Sequence, residues 1–287
     1  MKKNNLILTA MLAVAMCFTA CSGGNDDIEV NNVTLNETSL SLIVGDEFTL
    51  TATVLPGNAT NQNVVWTSSN PAVARVANGV VTAITAGDAT ITAQAGSKTA
   101  TCEVSIRERG VLINGVEWAK TNIDMPNTFA ATPESYGMFY QWGRNIGWSE
   151  NSPLVSSNGT AWNSTAYDGN TWTQENDPSP SGWRLPTLED LQSLLDETKV
   201  ASEWTTQNGV DGRKFTDIAT GASIFLPAAG QRNYNYGSLN YRGNYGYYWS
   251  SRENSAPYAY YMNFYSTGQD TNPANKSFGS SIRCVAE

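Results

Sequence analysis

Strict alternation of apolar and polar residues is the feature of this sequence that most restricts its fold. The alternating apolar positions are Phe48, Leu50, Ala52 and Val54, and later Ala100, Cys102, Val104 and Ile106. A period of two places successive side chains on opposite faces of a strand, so these segments are predicted to be half-buried antiparallel strands. Turn signals such as Pro56-Gly57-Asn58 and Asn78-Gly79 separate several short strands, as in a β-sandwich.

Residues 32–107 resemble the group-2 bacterial immunoglobulin-like (Ig-like) domain. The segments WTSSNPAVARV and GVVTAITAGDATIT carry this resemblance. It implies an all-β sandwich with Trp66 in the core between the sheets and Cys102 as a buried, unpaired thiol. Most such domains serve as stalks, so a spacer role is preferred here to a binding role.

The first twenty residues have the pattern of a secretion signal. A basic start precedes an apolar run from Leu6 to Phe18, which is shorter than the roughly 20 residues that a spanning helix needs. The sequence FTAC that ends at Cys21 resembles the processing site of a bacterial lipoprotein, whose cysteine is cut free and acylated. This resemblance implies a signal peptide over 1–20, lipid attachment at Cys21, a tether over 21–31 and an outer-membrane anchor facing the cell exterior. An ordinary signal peptide with a chance cysteine is the alternative.

Composition removes several classes of function. The chain has no histidine, which excludes Ser-His-Asp and Cys-His nucleophilic sites and all histidine-based metal sites. Its four cysteines form no CxxC pair, so a zinc site of the usual spacing is excluded as well. The net charge of -9 argues against a nucleic-acid partner, because neutralising phosphates requires clustered Lys and Arg. No metal and no cofactor are expected.

Residues 108–287 are predicted to form a second domain. Asn114-Gly115 predicts a tight hairpin turn. Thr187, with Asp190 three residues later, predicts the start of a helix over the leucines that follow. The segment 144–181 is polar and has no periodicity, and a stretch of this length is usually functional or poorly ordered.

Four motifs in this second domain resemble the FISUMP-type family of secreted and surface bacterial proteins. They read GWRLPTLEDLQSLL, IFLPAAGQR, GYYWSS and FGSSIRCV. The WRLPT-helix element is shared with the formylglycine-generating-enzyme-like branch of the C-type-lectin fold. The resemblance implies an α+β domain whose long loops form one binding face. Ser179 stands where the family often has a cysteine, so Cys284 is expected to be a buried free thiol, with a bond to Cys102 as the other option.

Tyrosine and asparagine are concentrated between Phe225 and Val285, where ten of the thirteen tyrosines lie. Binding loops use this mixture because Tyr offers a large amphipathic surface with few rotors, while Asn, Ser and Gly adapt their hydrogen bonds. We therefore predict a surface that contacts a protein or carbohydrate ligand. Its predicted contact residues are Asn233, Tyr234, Tyr236, Asn240, Tyr241, Asn244, Tyr245, Tyr247, Tyr258, Tyr260, Asn263 and Tyr265. The tryptophans of the polar segment either stack on sugar rings or fix that segment in place.

The near-regular use of Tyr and Asn between Arg232 and Ser251 resembles the variable regions of diversity-generating retroelements. These elements mutate template adenines, and Asn and Tyr codons differ by one first-position adenine change. The resemblance implies one member of a diversified binding repertoire displayed on a C-type-lectin fold. The alternative is a fixed protein that is rich in both residues.

Three functions remain open from the sequence: a ligand-binding surface protein, a structural or pilus-tip subunit, and a formylglycine-generating-like enzyme. The formylglycine relatives use active-site cysteines and metal, whereas this second domain offers Cys284 alone. We therefore predict no catalytic residue and prefer binding to catalysis.

Overall fold

The computed structural model describes residues 27–287. The predicted signal peptide and the lipid attachment at Cys21 lie outside these residues, as does the first part of the tether. No helix in the described part is long and apolar enough to span a bilayer.

Nine strands form a first domain. They are β1 (Asn32–Leu35), β2 (Ser39–Ile43), β3 (Glu47–Thr49), β4 (Ala52–Leu55), β5 (Val65–Ser68), β6 (Ala74–Ala77), β7 (Val80–Ala83), β8 (Gly87–Ala95) and β9 (Lys98–Arg107). Their sheets have the orders β2-β9-β8-β5, β3-β7-β6 and β1-β4. Strand β2 runs parallel to β9, and the other pairs are antiparallel.

The core of the first domain lies between the two larger sheets, which confirms the predicted sandwich. Val81 of β7 packs in the same cluster as Ile91 of β8 and Val104 of β9. Along β8 and β9 every second side chain is buried, as the alternation predicts. Trp66 is half-buried against this core, and Cys102 is a fully buried free thiol.

Fifteen strands follow in the second domain. They are β10 (Val111–Ile113), β11 (Val116–Trp118), β12 (Phe139–Gln141), β13 (Gly147–Trp148), β14 (Trp183–Arg184), β15 (Val200–Gln207), β16 (Val210–Asp217), β17 (Ser223–Pro227), β18 (Gln231–Arg232), β19 (Leu239–Asn240), β20 (Tyr245–Ser255), β21 (Tyr258–Tyr265), β22 (Gly268–Asn275), β23 (Gly279–Ser280) and β24 (Val285–Ala286). Their sheets have the orders β10-β11-β24-β14, β13-β12-β23-β18-β19, β15-β16-β17 and β20-β21-β22. A 3-10 helix (Gln174–Asn176) and one α-helix, α1 (Leu188–Ser193), lie between β13 and β15.

The α+β class predicted for the second domain is not supported, because α1 has six residues and is the one α-helix among the described residues. Its start is as predicted: the Thr187 hydroxyl accepts a hydrogen bond from the Asp190 amide, and the Asp190 carboxylate accepts one from the Thr187 amide. The leucine spacing extends further than the helix does. Leu194 and Leu195 lie beyond its last residue, where the chain turns into β15.

The hairpin between β10 and β11 turns at Asn114-Gly115, as predicted, and both residues have positive φ angles of 46° and 79°. This is the combination that a type I′ turn requires. The polar segment 144–181 has little regular structure, again as predicted, and contains β13 and the 3-10 helix.

Buried arginine is a notable component of the second domain's core. Arg283 is completely buried and donates hydrogen bonds to the carbonyl oxygens of Ala119, Lys120 and Phe225 and to the Asn122 side chain, at 2.9 to 3.2 Å. Loss of water lowers the pKa of the guanidinium to about 10, so it remains charged at neutral pH. Arg283 thereby connects its own backbone segment to the segment at Ala119 and Lys120 and to the segment at Phe225.

Candidate functional site

The antiparallel sheet of β20, β21 and β22 carries many of the predicted contact residues. Tyr245 lies opposite Tyr265, and Tyr247 lies opposite Asn263. On the other side of β21, Asn263 lies opposite Asp270 of β22. Residues directly opposite each other share a face of the sheet, so these five side chains point to the same side.

The other face of this sheet is part of the core and sets the register. Tyr248, Met262 and Phe264 are fully buried and pack in one cluster with Leu191 of α1 and Phe215 of β16. A shift of one residue would exchange the two faces, so burial of this face presents the alternate residues on the opposite side.

The outward side carries a continuous aromatic cluster, which we call the tyrosine face: Tyr241, Tyr245, Tyr247, Tyr261 and Tyr265. The rings of Tyr245 and Tyr247 are nearly parallel, with centroids 5.8 Å apart and an interplanar angle of 16°. Tyr265 lies 5.3 Å from Tyr245, Tyr261 lies 5.5 Å from Tyr247, and Tyr241 lies 5.5 Å from Tyr245. Rings in mutual contact at these distances hold one another in place, so little side-chain entropy remains to be lost on binding.

The five rings differ in how far they reach solvent. Tyr241 is 54% exposed, whereas Tyr247 retains only 8%. Tyr245, Tyr261 and Tyr265 are half-buried. Burial raises the pKa of Tyr247 and of Tyr261, so both phenols stay protonated at neutral pH. Tyr241 is thus the most solvent-exposed ring of the cluster, Tyr245 and Tyr265 are partly accessible, and Tyr247 is packed beneath them.

Amide and carboxylate groups lie beside the rings on β21 and β22. The Asn272 side chain donates a hydrogen bond of 2.9 Å to the Asn263 side-chain oxygen, and Asp270 is exposed next to them. Asp270 and Asn272 are not among the contact residues predicted from the sequence. A two-residue turn after Tyr265 pairs Tyr265 with Gly268, and every second residue counted from Gly268 then places Asp270 and Asn272 on this face.

Tyr241 sits in a backbone conformation that side chains other than glycine rarely adopt, with a φ angle of 63°. The turn that it begins is closed by hydrogen bonds of 3.0 Å from the Asn244 and Tyr245 amides to the Tyr241 carbonyl oxygen. Strain of this kind is often found at functional sites, where the surrounding structure maintains it. Here it directs the most exposed ring of the tyrosine face.

A second group of predicted contact residues lies on the loop between β18 and β19. Tyr236 is 81% exposed at its tip, and Asn233 accepts the amides that close the loop. Tyr234 packs edge-on against Phe278 with ring centroids 5.0 Å apart. Asn240 of β19 pairs with Gln231 of β18 and is half-buried. Asn244 is exposed in the turn after Tyr241.

Two arginines connect this region to the polar segment. Buried Arg232 donates to the carbonyl oxygens of Ser149, Asn151 and Gly237, the last two at 2.8 and 2.9 Å. Arg242 lies over the Tyr136 ring at 4.4 Å and donates to the Asn151 side chain at 2.7 Å. Burial lowers the pKa of both guanidinium groups. The irregular segment therefore supports the loop.

The tryptophans of the polar segment also have packing roles. Trp148 is buried and contacts Trp162 at 4.8 Å between ring centroids. Trp162 donates its indole N–H to the Tyr234 carbonyl oxygen at 3.0 Å, and Trp172 donates to the Asn176 carbonyl oxygen at 2.7 Å. Of the two interpretations left open by the sequence, these contacts favour fixing the segment in place.

Tyr258 and Tyr260 are not brought to the tyrosine face. They alternate in phase with Met262 and Phe264 and so belong to the opposite side of β21. Tyr258 is 43% exposed at the far end of the strand. The predicted contact residues thus divide among the tyrosine face, the β18–β19 loop and this separate pair.

Two family models match parts of the chain. Residues 29–104 match the bacterial Ig-like domain (group 2), which confirms the resemblance seen in the sequence. Residues 203–285 match a domain of unknown function, DUF8237, which includes all residues of the tyrosine face. The FISUMP-type and retroelement resemblances stay predictions, and the α+β C-type-lectin architecture is not supported by the low helix content of the described residues.

Curated relatives match over short stretches. An Ig-like virion protein of Serratia phage KSP90 is 41% identical over 83 residues, which are 28% of this chain and 32% of that protein. Kappa-carrageenase of Pseudoalteromonas carrageenovora is 44% identical over 75 residues, which are 26% of this chain and 19% of the enzyme. The chain therefore spans at most about a third of the length of these two relatives.

Solved structures give weaker similarity. Domains 5-6 of the S-layer protein SbsC cover 86% of this chain and 97% of that structure, at 15% identity and a TM-score of 0.25. The comparisons therefore show one bacterial Ig-like domain, followed by a region that matches a domain without an assigned function.

Proposed function

We propose that this chain is a lipid-anchored surface protein whose second domain presents the tyrosine face to a protein or carbohydrate ligand. The first domain serves as the spacer between the membrane anchor and this face. The observation that supports the proposal is the convergence of five tyrosines from a turn and two strands, with neighbouring rings 5.3 to 5.8 Å apart. Packed tyrosine beside amide and carboxylate groups is the composition of a contact surface.

The ligand is expected to approach the face rather than the free edge of β22. Exposed Pro273 on this outer strand has no amide hydrogen to donate, and exposed Asp270 adds a charge. Both features discourage a further strand from pairing at an edge. The face, in contrast, offers preformed aromatic area.

Contact without catalysis is part of the same proposal. Cys284, the thiol that a formylglycine-like mechanism would need, is fully buried with its sulfur 3.2 Å from the Ser179 hydroxyl oxygen. Burial raises its pKa, which opposes formation of the reactive thiolate. An exchangeable terminal strand would support the structural or pilus-tip alternative. Strand β24 is instead paired on both sides within the chain, with β11 and β14.

Binding is tested on protein and glycan arrays with the chain and a variant carrying Tyr241→Ala, Tyr245→Ala and Tyr265→Ala. We expect a loss of at least about tenfold in affinity, as for the removal of central aromatic contacts. Tyr258→Ala is the matched control, since it removes an exposed tyrosine from the other side of β21. A folded triple variant that binds like the unaltered chain would refute the assignment of the face.

Anchoring at the outer membrane through Cys21 and diversification by a retroelement belong to the same proposal. Fatty-acid labelling in cells should disappear in Cys21→Ser, and persistent labelling would reject the anchor. A search of the genomic neighbourhood tests diversification. Finding neither a reverse transcriptase nor an adenine-biased near-copy of the segment encoding Arg232 to Ser251 would remove the retroelement, while leaving the binding face in place.

A further inference from the structure

Arg107 belongs to the first domain through its backbone. It is the last residue of β9 and pairs with Ile43 of β2. Its carbonyl oxygen accepts a hydrogen bond of 3.0 Å from the Val44 amide. The point from which its side chain extends is therefore fixed by the sheet of the Ig-like domain.

The side chain of Arg107 is held by the second domain. Its two terminal nitrogens donate to the two carboxylate oxygens of Glu117, each at 2.9 Å. Its guanidinium carbon lies 5.2 Å from the centre of the Trp183 ring. Glu117 is in β11 and Trp183 is in β14, the strands on either side of β24. A paired and stacked guanidinium has both a bidentate and a planar contact, so its orientation is fixed.

Gly182 provides the space for this side chain. A Cβ atom at Gly182 would lie 2.9 Å from Cδ of Arg107 and 3.3 Å from its Cβ. The φ angle of Gly182 is +73°, which also favours glycine. Phe129 packs edge-on against Trp183 at 5.5 Å and holds the indole under the guanidinium.

Further hydrogen bonds near Arg107 also hold the connection between the domains. The Gly110 amide donates to the Glu117 carboxylate at 2.7 Å, and the Ser105 and Ser181 hydroxyl oxygens are 2.5 Å apart. Clefts of about 330 and 350 Å³ border the contact, both lined by Arg107. Arg107 is the one residue that lines both of these clefts.

We propose that Arg107 locks the Ig-like domain and the second domain into one rigid unit. The three-residue connection 108–110 would otherwise allow the domains to reorient, which is the ordinary behaviour of domains joined by a small interface. The lock fixes the direction in which the tyrosine face points relative to the spacer. It does not depend on that face being a binding surface.

The test is ¹⁵N relaxation of the whole chain, which gives a rotational correlation time for each domain. We expect one shared correlation time in the unaltered chain and two shorter, different times in Arg107→Ala. Glu117→Gln removes the charge of the carboxylate while keeping its shape, and is the test variant if Arg107→Ala does not fold. It should weaken the lock, so that the correlation times of the two domains differ by less than they would without the Arg107 side chain. Two different times in the unaltered chain, or a shared time that persists in folded Arg107→Ala, would overturn the lock.

A pair of glycine variants separates contact with Arg107 from backbone strain. Gly182→Ala places a methyl group against Arg107 and should abolish the shared correlation time. Gly209→Ala is the matched control, since Gly209 has a similar φ angle of +82° but a Cβ atom there would have no neighbouring atom within 4 Å. Equal effects of the two variants on domain tumbling would contradict the role assigned to Arg107.

Discussion

The two domains fill their interiors with different kinds of side chain. In the Ig-like domain the buried positions are small or aliphatic, as at Ala89, Ile91 and Val104. In the second domain the largest fully buried side chains include Trp118, Trp249, Arg232 and Arg283, together with Trp142. Aliphatic packing suits regular strands, whose backbone groups already bond to one another, whereas buried guanidinium groups can bond to carbonyl oxygens that irregular segments leave unpaired.

This difference explains why the tyrosine face lies on the second domain and not on the Ig-like domain. The long strands β8 and β9 alternate between core and solvent, and their outward residues are mainly threonines and charged side chains. The second domain holds long irregular segments by means of Arg232, Arg242 and Arg283, and so frees a sheet face for tyrosine. Hydrogen bonds from buried side chains allow loops to be ordered without regular secondary structure.

Removing a buried arginine should have the largest effect on the second domain. Arg283→Met should lower the free energy of unfolding of the second domain by about 4 kcal/mol, because three buried acceptors and one partly buried acceptor lose their donor. Hydrogen exchange followed by mass spectrometry reports each domain separately. Arg252→Met, which removes an exposed guanidinium, is the control and should change stability by less than about 0.5 kcal/mol. Equal protection in the two variants would contradict the role of buried arginine.

In the Ig-like domain, the corresponding test is the removal of aliphatic volume. Ile91→Ala should destabilise this domain by about 3 kcal/mol, since the side chain is fully buried at the centre of the sandwich. The neighbouring outward residue gives the control Thr92→Ala, which leaves the core intact. Faster hydrogen exchange throughout the first domain, with little change in the second, is the expected pattern. A small effect of Ile91→Ala would show that aliphatic packing is not what stabilises this domain.

A smaller change in the free energy of unfolding distinguishes the two faces of the β20-β21-β22 sheet. Tyr248→Phe removes a buried hydroxyl that donates to the Pro227 carbonyl oxygen at 2.9 Å, and should cost about 1.5 kcal/mol. Tyr245→Phe removes a hydroxyl from the tyrosine face and should cost less than about 0.5 kcal/mol. Chemical denaturation followed by tryptophan fluorescence compares them. The assignment of inner and outer faces would be wrong if the order of the two losses were reversed.

Local sequence signals predicted the parts of the fold that depend on local physics. The alternation through Cys102 and Ile106 gave the sandwich strands, Asn114-Gly115 gave the hairpin, and Thr187 gave the start of the helix. These features depend on residues close together in the chain. The α+β class was taken from a resemblance and is not supported, because α1 ends at Ser193. The leucine pattern extends beyond that end.

The tyrosine face was only partly predictable, since its geometry depends on pairing between strands. Composition identified Tyr245 and Tyr265, but not that they lie opposite each other. The register also adds Tyr261 to the tyrosine face, places Asp270 beside it and removes Tyr258 from it. A single sequence does not reveal which residues of different strands become neighbours, because that choice is made by burial of the opposite face.

The left-handed turn at Tyr241 has a consequence for any sequence change at this position. An asparagine there would adopt the same φ angle at lower energetic cost, because its short polar side chain tolerates this region of backbone space better than an aromatic ring does. It would also leave the neighbouring Tyr245 ring without its edge-on partner. Exchange between these two amino acids would therefore trade ease of folding against aromatic contact area while preserving the path of the chain.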